Sequence, residues 1–129
     1  MLSFIKRSKL EDCIKIVGVQ KNIADWISAA DILVFPTTIV HQARPIYEAG
    51  SLHRTIIVPD YENYRDNLID GYNGITYLKK NYNDLAIKIV YAYENQDSLE
   101  EMGDNNFKMT CDTHIQSKVK ILLEQALLK

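Results

Sequence analysis

Four short runs of apolar, mostly β-branched residues constrain the fold of this chain more than any other feature. The runs are 14-IKIVG-18, 31-DILVFPT-37, 55-TIIVPD-60 and 74-GITYLK-79, and segments of helical length separate them. The first three are nearly continuous in apolar residues and stop at Gly, Pro or Asp, which is typical of strands buried on both faces of a parallel sheet. We therefore predict an α/β fold with a partial, doubly wound parallel sheet of about four strands and flanking helices.

The segments around these runs carry helical patterns. We predict helices at 22–30, 45–53 and 61–69 between the strands, and at 81–96, 98–112 and 114–129 after them. Asn22 and Asn83 are the expected caps of two of these helices, and the helix at 98–112 is expected to be interrupted. The last helix carries an apolar stripe that we expect to pack into the core, formed by Ile115, Val119, Leu122 and Leu123.

The composition narrows the class of protein. A chain of 129 residues with 47% hydrophobic and 25% charged residues suggests one soluble globular domain, 1–129. The net charge of −2 gives no reason to expect a nucleic-acid partner. No apolar run approaches the ~20 residues of a membrane span, and the start lacks a secretory signal. Cys13 and Cys111 are isolated, which fits a reducing compartment, so we expect a cytoplasmic protein.

The stretch 41-HQARPIYEAG-50 begins a helix in an unusual way. Pro45 suits the first helical residue, but Arg44 before it has no side-chain oxygen with which to cap free N–H groups. The loop leading into this helix leaves the carboxyl end of a predicted strand, where α/β sheets bind ligands. Free N–H groups beside an arginine would suit a phosphate. Alternatively, Arg44 and Glu48 form a surface pair, and water or Gln42 caps the helix.

Together these residues resemble the C-terminal, nucleotide-sugar-binding domain of GT-B glycosyltransferases, in the retaining group called family 4 or glycosyl transferases group 1. The resemblance rests on Gly18 after 14-IKIV-17, on 29-AADILVFPT-37, on 44-RPIYEA-49, and on Asp60 followed by 66-DNLIDGYNG-74. These pieces occur in the family's order and spacing over residues 14 to 80. The resemblance implies a Rossmann-like half-domain of a GT-B fold.

The resemblance also implies roles for particular residues. Glu48 stands where a family glutamate contacts the nucleotide ribose, and Gln42, Ala43 and Arg44 would face the diphosphate or the sugar. The loop after Gly18 would lie near the base. The expected nucleotide-sugar-binding residues are Glu48, Arg44, Ala43, Gln42, His41, Val19 and Gln20. The donor would be a UDP-, GDP- or ADP-sugar, with no cofactor and no metal, and no catalytic residue can be assigned.

Several positions depart from the family pattern. Val40 stands eight residues before Glu48, where the family has a second glutamate, and its apolar side chain cannot bind a sugar hydroxyl. The adjacent His41 can both donate and accept hydrogen bonds, so it is a candidate replacement. Residues 41–43 replace a flexible Gly-x-Gly turn, and Asp66 stands where glutamate is usual. These departures put the contacts to the donor sugar in question.

The resemblance covers only part of a family enzyme. A full enzyme has two similar domains, with the acceptor bound mostly by the first. Nothing here matches that domain or the basic residues that hold the diphosphate. The strand at 14–18 would lie about 10 Å from the strand at 31–37, separated by two absent strands, and exposed strand edges associate readily.

We therefore expect the donor-binding portion of a longer glycosyltransferase, inactive by itself. Its expected partners are a nucleotide-sugar and the missing N-terminal domain or another chain. The parent enzyme would transfer sugar to a polysaccharide or glycoconjugate, with possible peripheral membrane association. The alternative is a non-catalytic remnant or assembly module that pairs through its exposed sheet edge, as a homodimer or with another subunit. Other nucleotide-binding α/β domains fit less well, because the chain lacks a GxGxxG run.

Overall fold

The computed structural model describes residues 1–128, with the side chains of 114–119 left out of the description. Within these residues the strands are β1 (Ile32–Val34), β2 (Thr55–Pro59) and β3 (Ile75–Tyr77). The α-helices are α1 (Leu2–Arg7), α2 (Ile23–Ala29), α3 (Arg44–Ser51), α4 (Tyr82–Glu94), α5 (Gln96–Thr110) and α6 (Gln116–Leu127). A 3₁₀ turn spans Glu62–Tyr64, and a π-helical turn, Cys111–Ile115, joins α5 to α6.

The sheet is parallel, with strand order β1-β2-β3. Ile32 pairs with Thr55, and Ile57 pairs with Ile75. The α/β class and the parallel sheet are thus confirmed, but the expected number of about four strands is too high. The segment 14–18 is not a strand, because among the described residues the sheet ends at β1 and no neighbouring strand offers it hydrogen bonds.

Two apolar clusters cover the two faces of the sheet, and β2 contributes to both. Ile56 and Val58 belong to the cluster that includes Ile46 of α3. Ile57 belongs to the opposite cluster, which includes Leu99 of α5. All five residues of β2 are buried, as expected for a central strand of a covered parallel sheet.

Two glycines allow α5 to approach its neighbours closely. A Cβ on Gly103 would lie 2.3 Å from the carbonyl oxygen of His53, just before β2, and a Cβ on Gly50 of α3 would lie 2.9 Å from the carbonyl oxygen of Asn106. Neither contact leaves room for a side chain. The helix itself is continuous from Gln96 to Thr110, so the predicted interruption was wrong.

Three other local predictions need correction. Residues 61–69 form only a short 3₁₀ turn, which aligns the buried Tyr61 and Tyr64, three positions apart, toward the core. The α4 cap is Asn81, not Asn83, because the Asn81 side chain accepts a hydrogen bond from the Asp84 N–H. Asn22 occupies the cap position of α2, but its side chain makes no capping bond.

The apolar stripe of α6 does not reach the core as predicted. Leu122 is 63% exposed and Leu123 is 57% exposed. In the described part of the chain, α6 makes few contacts with any element other than the π-helical turn that leads directly into it. The side chains of Ile115 and Val119, which complete the predicted stripe, lie outside the described residues.

Candidate functional site

The loop between β1 and α3 is anchored at the carboxyl end of the sheet. Phe35 extends the pairing of β1, because its N–H donates to the carbonyl of Ile57 at 2.9 Å. The His41 ring packs edge-on against Phe35, with ring centroids 5.8 Å apart. Asn63 donates from its side-chain amide to the His41 carbonyl at 2.6 Å. The loop is therefore held from both β1 and the turn that follows β2.

Helix α3 begins without a side-chain cap. The cap position is Ala43 and the first helical residue is Arg44, so Pro45 is the second residue rather than the first. Among the described residues, no side chain caps the first N–H groups of α3, and Pro45 has no backbone N–H. The N–H groups of Ala43 and Arg44 are therefore not bonded by a capping side chain, and they lie at the positive end of the helix dipole.

Arg44 and Glu48 form the surface pair that the sequence offered as an alternative. The Arg44 Nε lies 2.7 Å from the Glu48 Oε1. The Arg44 side chain is 80% exposed and the Glu48 side chain 32%. Exposed pairs of this kind contribute about 0.5 kcal/mol, so this pair stabilises the helix only slightly.

A cleft of about 520 Å³ runs along this face of α3. It is lined by Gln42, Ala43, Arg44, Tyr47, Glu48, Ser51 and Thr110. The structure thus brings together four of the seven predicted site residues. Tyr47 and Ser51 follow Arg44 at helical spacing, so the sequence contained a signal for them. Thr110 reaches the cleft from α5, and nothing in the sequence links it to α3.

The other three predicted residues are not among those that line this cleft. His41 lies just before it, with its ring against Phe35. Val19 is fully exposed, and Gln20 donates from its side chain to the carbonyl of Val17 at 2.5 Å. Gly18 before them has a φ of +66°, which favours glycine.

Buried hydroxyl groups without a hydrogen-bond partner follow the carboxyl ends of β1 and β2. Among the described residues, the side-chain oxygens of Thr37, Tyr61 and Tyr64 are buried and make no hydrogen bond. Tyr61 and Tyr64 belong to the same cluster as Phe35 and Ala43. Buried polar atoms are usually bonded, so this end of the sheet has more hydrogen-bonding capacity than the chain itself uses.

Among the described residues, which leave out the side chains of 114–119, no three His, Cys, Asp or Glu side chains are grouped in a way that suits a metal ion. In the same part of the chain, no helix combines the length and the apolar composition that a membrane crossing requires.

Comparison with known families identifies the chain. The model of the family described as glycosyl transferases group 1 matches residues 2–95. The chain belongs to this family. The match includes every piece that carried the resemblance, from Gly18 to the 66–74 segment. Curated protein sequences gave no significant match.

Solved glycosyltransferase structures share the fold of this family member. The Anabaena protein Alr3699/HepE, solved in complex with UDP and glucose, matches 96% of this chain and 35% of its own, with a TM-score of 0.82 and 19% identity. Sucrose-phosphate synthase from Thermosynechococcus elongatus matches 98% of this chain and 33% of its own, with a TM-score of 0.81 and 18% identity. These matches confirm a GT-B glycosyltransferase fold.

A third match concerns an isolated domain. The C-terminal domain of a glycosyl transferase group 1 family protein, LpcC from Francisella tularensis, matches 88% of this chain and 60% of its own. Its TM-score is 0.76 and its identity 17%. The chain thus spans about a third of the length of the first two relatives, and less than two thirds of this domain.

Proposed function

We propose that this chain is the donor-binding portion of a retaining glycosyltransferase that takes its sugar from a nucleoside diphosphate sugar. The acceptor would be a polysaccharide or glycoconjugate. The observation that carries the proposal is the cleft at the uncapped start of α3, which unites Arg44 and Glu48 with free backbone N–H groups. Family membership supports the reaction class, and UDP in the Anabaena relative supports the ligand class.

The chemistry of the cleft suggests a role for each side. The Glu48 carboxylate can accept hydrogen bonds from two ribose hydroxyls at once. The Arg44 guanidinium and the N–H groups at Ala43 and Arg44 would face the diphosphate, where the helix dipole also favours negative charge. His41 would lie toward the sugar, because Val40 is exposed and apolar at the position of the family's other glutamate.

The base would lie near Val19 and Gln20, which are presented by the loop after Gly18. Neither residue lines the cleft, so they would contact only the far end of an extended ligand. The chain by itself is proposed to be inactive, because sugar transfer needs an acceptor held beside the donor. That acceptor site would come from the rest of a longer protein or from a partner chain.

The test is a calorimetric titration of the purified chain with UDP, GDP and ADP. We expect one of the three to bind saturably, with amide NMR shifts concentrated at residues 41–48. Glu48→Ala should weaken this binding by about tenfold or more, as loss of a charge-assisted bond implies. Glu101→Ala is the matched control, since Glu101 is an exposed glutamate on α5, and it should bind normally.

Two outcomes would contradict the proposal. The first is a folded chain that binds none of the three nucleotides. The second is binding that Glu48→Ala and Glu101→Ala leave equally intact. A folded chain that fails to bind, yet sediments as a stable dimer, would instead favour an assembly module. In the part of the chain that the structure describes, β1 pairs with β2 along one edge and has no partner along the other, which supports that second candidate.

A further inference from the structure

Two buried asparagines link helix α3, which borders the proposed donor cleft, to helix α5 and to the loop before β3. Asn73 lies in the loop before β3 and Asn106 lies on α5, and both are 0% exposed. The Asn73 Nδ2 donates to the Asn106 Oδ1 at 3.2 Å. Buried side-chain amides are uncommon, and they are stable only when their hydrogen bonds are made.

Each polar atom of this pair has a partner. Asn106 donates from its Nδ2 to the carbonyl of Ile46 at 3.2 Å and to that of Arg54 at 3.1 Å. Asn73 donates from its Nδ2 to the carbonyl of Asn67 at 2.9 Å, and its Oδ1 accepts from the N–H of Ile69 at 2.7 Å. The pair therefore joins α3, the start of β2, the 66–74 segment and α5.

A further hydrogen bond reaches α3 at the residue next to Glu48, the candidate ligand contact. The Tyr47 hydroxyl donates to the Asn67 Oδ1 at 2.5 Å. Helix α3 is thus bonded at the Ile46 carbonyl and at the Tyr47 side chain, and Glu48 is the next residue. Asn73 and Asn106 make no contribution to the lining of the cleft, so any effect they have on a ligand passes through α3.

We propose that Asn73 and Asn106 are positioning residues, which fix α3 so that Arg44 and Glu48 face the donor. This inference rests on the proposed function. Helix α3 lacks a side-chain cap and carries only an exposed ion pair on its outer face. Its apolar contacts through Ile46 are non-directional, whereas buried hydrogen bonds are directional and costly to leave unmade. The amide pair therefore determines the orientation of the helix.

The test compares Asn106→Asp with Asn105→Asp. The first variant removes both donors to Ile46 and Arg54. The second makes the same chemical change at the adjacent residue, whose amide donates to the Tyr72 carbonyl at 3.0 Å. Asn81→Ala serves as a variant destabilised elsewhere, at the cap of α4. Amide hydrogen exchange in α3 and the Kd for the nucleotide that binds are measured at a temperature where every variant is folded.

We expect α3 amides to exchange about tenfold faster in Asn106→Asp, and the Kd to rise about tenfold. Asn105→Asp and Asn81→Ala should leave the Kd unchanged, because a loss of global stability does not alter the affinity of folded molecules. In these two variants α3 exchange should rise only by the factor that their lower free energy of unfolding implies. If Asn106→Asp does not fold, Asn67→Ala takes its place, because it removes the acceptor of the Tyr47 hydroxyl and Asn67 is not among the residues that line the cleft.

The outcomes separate this inference from the proposed function. Unchanged α3 exchange or an unchanged Kd in Asn106→Asp overturns the positioning role. An equal rise of Kd in Asn81→Ala overturns it too, because general destabilisation would then explain the effect. Failure of the unsubstituted chain to bind any nucleotide overturns the proposed function itself, whatever the exchange rates are.

Discussion

Replacing Gly50 with alanine tests the close crossing of α3 and α5. The added Cβ would lie 2.1 Å from the Thr110 Oγ1, 2.9 Å from the Asn106 carbonyl oxygen and 3.1 Å from the Asn106 Cγ. The Thr110 hydroxyl has no hydrogen-bond partner in the described structure, so it can rotate away without losing one. The Asn106 contacts involve a main-chain atom and an amide held on three sides, and no rotamer change removes them.

The magnitude follows from two opposing terms. Glycine to alanine inside an unhindered helix stabilises it by about 1 kcal/mol. Overpacking a close contact costs about 1–3 kcal/mol, and the main-chain contact at Asn106 places this site toward the upper end. We therefore expect Gly50→Ala to lower the free energy of unfolding by roughly 1–2 kcal/mol. For a chain of this length, that corresponds to a fall in Tm of roughly 4–8 °C.

The assay is thermal and urea unfolding followed by circular dichroism. Ser51→Ala is the control, because Ser51 is the adjacent exposed residue of α3 and its replacement adds no atom to the crossing. Gly50→Ala combined with Thr110→Ala should recover little of the loss, because the Thr110 hydroxyl can already rotate away and the two contacts to Asn106 remain. The reasoning is refuted if Gly50→Ala raises Tm as an open helical glycine would.

Two further predictions concern a cap and a buried phenol. Asn81→Ala should reduce the free energy of unfolding by about 1 kcal/mol, because the Asn81 side chain accepts a hydrogen bond from the Asp84 N–H at 3.0 Å. Asn22→Ala should reduce it less, because the Asn22 side chain makes no capping bond. Urea unfolding of the two variants tests this difference. Burial, assisted by the nearby Tyr61 and other tyrosines, raises the pKa of Tyr77 above its ordinary value. Tyr77 therefore keeps its proton to a higher pH in the folded state than in the unfolded chain, so its contribution to stability should be full below about pH 10 and be lost as the pH rises toward the folded pKa. In unfolding experiments at alkaline pH, Tyr77→Phe should remove this fall of stability with pH. A fall that persists in Tyr77→Phe would contradict the assignment to Tyr77.

The fold could be predicted from the sequence wherever a segment's pattern matched its final surroundings. Three of the four apolar runs became adjacent parallel strands because each has a neighbour in the sheet. The run at 14–18 has the same β-branched composition, yet Ile16 is 47% exposed and no strand forms. Strand propensity expresses fit to a half-buried pleated surface rather than a local preference. The sequence therefore indicated the tendency but could not show the missing neighbour.

The sequence predicted which residues of α3 share the face of the candidate site, but not which residues of other elements contact this helix. Helical spacing places Arg44 and Glu48 on one face, and the structure keeps them there. Asn106 donates to the Ile46 carbonyl of this helix and accepts a hydrogen bond from Asn73, which lies 33 positions earlier in the sequence. A lone asparagine in a helical segment is normally an exposed residue. Only the tertiary arrangement shows that these two complete one another's hydrogen bonds.

The ion pair between Arg44 and Glu48 is compatible with a donor site because of its small energy. With Arg44 80% exposed, opening the pair costs about 0.5 kcal/mol. A single hydrogen bond to a charged group returns about 1.5–3 kcal/mol, so either partner gains more from a diphosphate or a ribose than it loses. In the absence of ligand, the pair also neutralises the Glu48 carboxylate, which would otherwise repel an approaching phosphate at close range. The Arg44–Glu48 ion pair, which was the alternative explanation of the unusual helix start, is therefore also compatible with the proposed site, as the ligand-free state of its two side chains.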